Sequence, residues 1–437
     1  MGILAGILLL SVIMILHEIG HFATGRKLGF KVEEFSLFMG PRLLSREVNG
    51  IRYSLKLFPI GASCRFAGEE GEEEEDREAK DLTVNRGARF FDRPRWARAI
   101  VLTAGAAMNY LSGVLVFFVL FVWFGFATNT VGLIGTGSQA EAAGLGEGDR
   151  IVAVDGARVG TQLDFVSQVM FLPPEKTVSL TVEGAGTGER REVVLTPVKA
   201  STYRLGVTVD LSGEQPVIME VDPASNSGNP VLIKGDVLVS VNGVSYEQTD
   251  AFAAEVESSQ GAEVTVQVVR DGVAADIQMR PVRMEYYNPQ GIQFEAGSGV
   301  GRSAVEAFRY SWSIVRFTVK GISMMIAGQL SARDNLSGPI GIVSMIGDVV
   351  ETEQPLADKV YSLLSMFGLI SVNLAFMNLL PIPPLDGNHL LLTGIEAIRG
   401  KRLSSRVQTA ISLVGFALLI GLAVLVVVFD VMRLTGR

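Results

Sequence analysis

The pentapeptide His17-Glu18-Ile19-Gly20-His21 closes an uncharged run that begins at Ile3, and the reading of that junction decides the fold. A spacing of four puts both imidazoles on one helix face about one turn apart, so two nitrogen ligands can share one metal ion. Glu18 projects to a neighbouring position, where it can take a proton from a metal-bound water without itself being a ligand. The run from Ile3 to Phe22 is long enough to cross a hydrocarbon core, which needs about 20 apolar residues. It lacks the basic leader and Ala-x-Ala site of a signal peptide and is read as a retained span. Ionisable groups inside a span are costly unless paired or metal-bound, so a functional reading is the default there.

Outward from that segment, the 437 residues are 48 % apolar and 19 % charged, which excludes a disordered chain and a small disulfide scaffold. The single cysteine, Cys64, has no partner for an internal disulfide and is assigned no role. A net charge of −8 without a basic, aromatic-interleaved cluster excludes nucleic acid as a partner. The mean hydropathy of +0.34 is concentrated in four stretches, Ile3 to Phe22, Ala99 to Phe126, Val360 to Leu385 and Val407 to Phe429, as in a membrane protein. Arg26, Lys27, Arg93, Arg95 and Arg98 mark the first loop as cytoplasmic, and Arg399, Lys401, Arg402 and Arg406 do the same for the last. Ala304 to Ala327 carries Arg309, Arg316 and Lys320 on one helical face, a pattern that suits a helix lying on the bilayer surface.

Between the second and third spans the composition changes to Gly, Val, Asp and Glu, with alternating strands such as Val178 to Val182. The stretch Gly148-Asp149-Arg150-Ile151-Val152-Ala153-Val154-Asp155-Gly156 recurs, 87 residues on, as Gly235-Asp236-Val237-Leu238-Val239-Ser240-Val241-Asn242-Gly243. Two copies of one small domain follow, on the non-cytoplasmic side, and the motif resembles the core of peptide-binding PDZ domains. In the first copy Ala142-Ala143-Gly144-Leu145 precedes the Gly-Asp pair as that family expects. In the second, Gly228-Asn229-Pro230-Val231-Leu232-Ile233-Lys234 departs from it, so an altered short helix is expected there. Leu205-Gly206-Val207 and Gln290-Gly291-Ile292 are the candidate loops for peptide C-termini.

Zinc needs a third protein ligand and an open position. His389 is the only other histidine, but Asp386 is the better candidate. It follows Pro381-Ile382-Pro383-Pro384-Leu385, whose prolines cannot continue a regular helix, and unwound backbone at membrane depth must be buried or line a cavity. With four spans, the first and third run in the same direction, and His17, His21 and Asp386 fall at one depth. A fifth span at Ala304 to Ala327 would put Asp386 across the bilayer.

These residues resemble the site-2 protease family of intramembrane zinc metalloproteases, and within it the regulator-of-sigma-E type. The resemblance covers nearly the whole chain. It rests on the His-Glu-x-x-His span, on Asn378-Leu379-Leu380-Pro381-Ile382-Pro383-Pro384-Leu385-Asp386-Gly387, on the tandem PDZ-like insert, and on Asn335-Leu336-Ser337-Gly338-Pro339-Ile340-Gly341-Ile342. It implies that His17, His21 and Asp386 bind Zn2+, that Glu18 is the catalytic base and that Asn378 helps hold the substrate. It further implies regulated proteolysis of single-pass proteins such as an anti-sigma factor, or of signal-peptide remnants, in a bacterial inner membrane. Two departures stand out: Asn388 where the family has Gly, and Gly105-Ala106 where it has Gly-Pro.

In the first loop, Asn49-Gly50 precedes the alternating Ile51 to Leu57, which predicts a β-hairpin on the membrane, where an unwound substrate could add as a strand. The acidic run Glu69 to Glu78 is expected to be a solvated loop. The fold expected is therefore a polytopic α-helical membrane protein with four transmembrane helices, two inserted extracytoplasmic PDZ-like domains and a membrane-associated hairpin. Its parts are a first helix at 1–24, a cytoplasmic loop at 25–98, a second helix at 99–126, PDZ-like domains at 127–203 and 204–284, a linker with the surface helix at 285–359, a third segment at 360–386, a loop at 387–406 and a fourth helix at 407–429. The competing function classes are a catalytically silent PDZ-bearing scaffold and a metal transporter. Retention of Glu18 disfavours both: a scaffold needs no base, and a transporter is expected to carry polar residues through several spans, whereas Val407 to Phe429 is almost wholly apolar.

Overall fold

A computed structural model of the chain describes residues 2–68, 87–210, 215–288, 290–401 and 403–434. The expected acidic loop, Glu69 to Glu78, lies outside the described residues. The chain forms two compact units: one comprises Met1–Asn129, Val159–Ser167 and Glu295–Arg437, the other Thr130–Arg158 and Gln168–Phe294.

The first unit opens with α1 (Gly2–Lys27), β1 (Val32–Val48) and β2 (Ile51–Phe66), followed by α2 (Arg95–Phe124). Pro94 stands just before α2, where its missing N–H costs nothing, and Gly125, at φ +77°, ends it. Asn49 and Gly50 both take positive φ, +52° and +73°, the geometry of a type I′ turn, and join β1 to β2. The two strands are longer than the predicted hairpin and fold over into four lanes. Residues 32–39 pair with 58–66 on one side and with 52–55 on the other, while 42–48 pair with 51–56. Residues 58–66 are thus an edge lane, a position that tolerates Pro59.

The insert runs through β3 (Phe126–Ile134), α3 (Gln139–Ala142), β4 (Arg150–Val154), β5 (Ala157–Arg158), α4 (Gln162–Val169), β6 (Val178–Glu183), β7 (Arg190–Leu195) and β8 (Lys199–Arg204). It continues with β9 (Val207–Asp210), β10 (Val217–Val221), α5 (Ser225–Gly228), β11 (Val237–Val241), β12 (Val244–Ser245), α6 (Thr249–Ser258), β13 (Val264–Arg270), β14 (Val273–Met279), β15 (Val282–Tyr287) and β16 (Ile292–Gly297). Two six-stranded sheets result, ordered β16-β3-β4-β6-β7 and β14-β13-β11-β10-β9, with β5 and β12 paired to β4 and β11, and a two-stranded sheet of β15 and β8 stands beside them. The repeat occupies equivalent places in both. Asp155-Gly156 and Asn242-Gly243 make positive-φ turns after β4 and β11. Asp149 accepts from the Gly146 N–H and pairs with Arg191, as Asp236 accepts from the Ile233 N–H and pairs with Arg270. The short helix departs in the second copy: α3 is capped by Ser138, whereas α5 is broken at Asn226 and Ser227, both at positive φ. Fully buried Ile218, Val241, Val266 and Val268 centre the second sheet's core.

The sheets do not follow the contiguous boundaries 127–203 and 204–284. β16, placed in the linker by sequence, is the outer neighbour of β3, and β15 pairs antiparallel with β8, so the second copy is nested inside the first. Leu205-Gly206-Val207 leads into β9 of the second sheet, and Gln290-Gly291-Ile292 leads into β16 of the first.

The chain then forms α7 (Val300–Ile326), α8 (Ala332–Asn335), α9 (Pro339–Glu351), α10 (Leu356–Asn378), α11 (Asp386–Arg399) and α12 (Ser405–Leu434). Among the described residues four helices are long and apolar enough to cross a membrane: α1, α2, α10 and Val407–Met432 of α12. The third ends at Asn378 rather than continuing to 386, because the prolines interrupt it, and the expected loop at 387–406 holds α11. α7 differs from the expected surface helix in what its faces meet. Ala307, Ile314 and Val315 pack with Phe117, Leu120 and Phe121 of α2 and Val372 of α10. Two of its three aligned cations are engaged by protein: Arg316 donates to Asp164 at 2.7 Å, and Lys320 donates to the Ser167 carbonyl at 2.8 Å.

Candidate metal centre

α1 presents His17 and His21 one turn apart, both buried, with their Nε2 atoms 3.0 Å from each other. The proline-rich break after α10 ends at Leu385, and Asp386 opens α11. Its Oδ2 lies 3.0 Å from His17 Nε2 and 3.3 Å from His21 Nε2. Zinc bonds of 2.0–2.2 Å in a tetrahedron separate neighbouring ligand atoms by about 3.3–3.5 Å. The three observed edges, 3.0, 3.0 and 3.3 Å, are close to that spacing. Asp386 Oδ2 is buried without an acceptable hydrogen bond despite these neighbours, so its lone pairs remain for a ligand.

The surroundings fit the same reading. The second nitrogen of His21, Nδ1, donates to the Val101 carbonyl of α2 at 2.8 Å, which leaves the Nε2 lone pair facing Asp386 and His17. Gly105 is where α2 passes the imidazoles, and a Cβ there would lie 2.4 Å from His21 Nε2 and 2.7 Å from His17 Nε2. A side chain at this position would fill the ligand space. Among the described residues, His17, His21 and Asp386 form a group whose donor atoms all lie within 4.8 Å of one another. His389 is outside it, and burial pushes its imidazole below its ordinary pKa against a smaller opposing effect of Asp386.

Glu18 is held off the ligand cluster by the sheet: its Oε2 accepts from the Cys64 N–H of the β2 edge lane at 2.8 Å. Asn378, the last residue of α10, places Nδ2 3.3 Å from His17 Nδ1 and 3.5 Å from Nε2. A cleft of about 680 Å³ opens on the cluster, lined by His17, Glu18, Ile60, Ala62, Asn378 and Asp386 among others.

Four of the five residues expected from sequence, His17, Glu18, Asn378 and Asp386, therefore line one cleft, and His21 joins them through its contact with Asp386. Gly105, the Val101 carbonyl and the Cys64 N–H are not among the site residues that the sequence offers, and Ser337–Pro339 enter it only within the family-like stretch Asn335 to Ile342. Gly105 had been noted only as part of a departure from Gly-Pro, while backbone partners leave no trace in residue identity.

A profile described as Peptidase family M50 matches residues 5–422. The regulator of sigma-E protease RseP of Escherichia coli (strain K12) is 28 % identical over 458 residues, spanning 98 % of both chains. Its counterpart from Salmonella typhimurium (strain 14028s) is also 28 % identical, over 460 residues and 98 % of both chains. A Rhizobium meliloti (strain 1021) chain with a provisional zinc-metalloprotease designation is 27 % identical over 98 % of this chain and 96 % of its own.

Proposed function

The chain belongs to peptidase family M50 and is a zinc metalloprotease, and from that premise we propose that it cuts single-pass membrane proteins within or next to their membrane-spanning segment. The observation that carries the proposal is the triangle of His17, His21 and Asp386 at zinc-ligand spacing, with Glu18 beside it at the floor of an apolar cleft. His17 Nε2, His21 Nε2 and an Asp386 oxygen would hold the ion. When bound, zinc supplies a Lewis acid that polarises the scissile carbonyl and makes water a nucleophile near neutral pH.

The protein's own residues do the rest. Glu18, oriented by the Cys64 N–H, takes the proton of the attacking water as the new C–O bond forms. It then delivers that proton to the amide nitrogen as the C–N bond breaks, so the amine leaves neutral. Asn378 borders the same space and is positioned to bind the substrate backbone beside the scissile bond. The substrate must unwind before attack, since helical carbonyls are engaged in i to i−4 bonds. The edge lane 58–66, which supplies Ile60 and Ala62 to the cleft, is suited to receive the freed segment as an added strand.

The natural substrate class we assign is an anti-sigma factor, as the names of the Escherichia coli and Salmonella relatives suggest, with signal-peptide remnants as further substrates. The chain is assigned to a bacterial inner membrane, with the nested sheets as extracytoplasmic PDZ-like domains that meet peptide C-termini or exclude bulky ectodomains. The test is cleavage of a model single-span substrate by purified protein in three forms: wild type, Glu18→Gln and chelator-treated. Product from wild type alone is expected. Equal product in all three would end the reading, and none in any would favour the scaffold.

A further inference from the structure

The segment Asn335 to Ile342 has no role in the chemistry above, yet Ser337, Gly338, Pro339 and Ile342 form one wall of the catalytic cleft. Gly338 is the N-cap of α9 and has no side chain with which to cap it. Pro339, next in line, has no N–H. Two of the free donors at this end, the Gly338 and Gly341 N–H groups, are answered from another helix nearly a hundred residues on. Asp430, near the end of α12, is 1 % exposed, and its two oxygens accept from the Gly338 N–H at 3.1 Å and the Gly341 N–H at 2.9 Å.

The approach is close. A Cβ on Gly338 would lie 2.7 Å from the Asp430 carboxylate and 2.7 Å from Val426, and one on Gly341 would lie 2.8 Å from the carboxylate. Both glycines are therefore required by the contact itself. A carboxylate against helix N–H groups is favoured by hydrogen bonding and by the helix dipole, the more so where water is excluded. By contrast, only 6 % of the apolar stretch of α12 is buried. The helix is otherwise fastened near its start, where Gly415 abuts Pro383 in the break before Asp386.

We propose that Asp430 is a positioning residue for substrate: its carboxylate caps α9 from the last span and holds the Ser337–Pro339 wall at the width that presses an unwound segment towards Glu18. The inference rests on the protease reading. Asp430 touches none of the three metal-ligand side chains and sets no step of the chemistry. Its loss should weaken substrate binding and leave the metal in place.

The experiment uses the full chain in proteoliposomes with a model single-span substrate, together with metal analysis and hydrogen exchange of residues 337–342. Asp430→Ala is expected to raise KM about tenfold with kcat within threefold and zinc content unchanged, and to speed exchange at Gly338 and Gly341. Asp430→Asn keeps one acceptor oxygen and should fall between. Gly341→Ala pushes into the carboxylate and should raise KM alone, yet add nothing in the Asp430→Ala background. Unchanged KM in Asp430→Ala, additive effects of the two substitutions, or loss of zinc would each overturn the inference while leaving the protease reading intact. A wild type that cuts nothing would remove the protease reading, and this inference with it, whatever the exchange shows.

Discussion

Gly105→Ala adds one methyl group to α2 and should disable the metal centre. The new Cβ would lie 2.4 Å from His21 Nε2, 2.6 Å from His17 Cε1 and 2.7 Å from His17 Nε2. Ordinary carbon contacts begin near 3.5 Å, so about 1 Å of displacement is needed at His21. Metal ligands tolerate about 0.2 Å. His21 cannot retreat freely, because its Nδ1 is bonded to the Val101 carbonyl, one turn away on the same helix. Losing an outer-shell partner alone typically costs 10–100-fold in metal affinity, and forcing a first-shell ligand aside should cost at least about 100-fold. The helix itself should gain roughly 0.5–1 kcal/mol from Gly to Ala. The assay is zinc retained after equilibration against a graded chelator, with thermal unfolding run alongside. Gly394→Ala in α11, where a Cβ meets nothing within 4 Å, is the control and should leave zinc affinity unchanged. Wild-type zinc affinity in Gly105→Ala would refute the argument that this glycine reserves the ligand space.

Two further predictions concern pH. Burial pushes Glu306 on α7 up from 4.5 to about 7, so its ionised form is disfavoured in the folded chain. Stability from the neutral form is fully present below its ordinary value and lost as pH rises through 7. Glu306→Gln should match wild type at pH 4 and unfold at higher temperature than wild type at pH 8, with at most about 3 kcal/mol at stake. In the second sheet, burial pushes the Asp236 carboxyl up, but paired donation from Arg270 at 2.7 Å and the Ile233 N–H reverse this and hold it below its ordinary range. That stability is present above the ordinary carboxylate value and lost as pH falls through the lowered one. Asp236→Asn should cost about 2 kcal/mol at pH 7 and flatten the acid limb of the unfolding profile of this unit, as followed by circular dichroism.

What was legible in the sequence was what local spacing encodes. His17, Glu18 and His21 lie within one helical turn, and the prolines announce that the backbone before Asp386 is bent. The Gly-Asp repeat pointed to two similarly placed strand-turn segments, and the departure at Gly228 to Lys234 pointed to an altered short helix, which is broken at Asn226 and Ser227. What stayed hidden depends on partners far apart in the chain. No pattern in residues 292–297 says that they pair beside β3, because any short alternating strand could do so. The cations of α7 read as a surface stripe because the partners of Arg316 and Lys320, Asp164 and the Ser167 carbonyl, lie some 150 residues earlier. Asp430 falls just past the fourth apolar stretch, which ends at Phe429, and nothing local in the sequence says that it answers two glycine N–H groups about 90 residues before it.

α2 contributes no ligand, yet each ligand-bearing element is indexed to it. From α1, His21 leans on its Val101 carbonyl, and Gly105 admits the pair of rings. From the other side, α11 carries Asp386 at its start and Glu396 near its end, and Glu396 receives Arg98 at 2.9 Å and Arg95 at 3.4 Å from the first turn of α2. α2 therefore works as a jig against which two separately folded parts are registered. A tilt of that one helix would change the spacing of the centre without altering any residue in it, and changes to Arg98 or Glu396 should be felt at the metal rather than only where they occur.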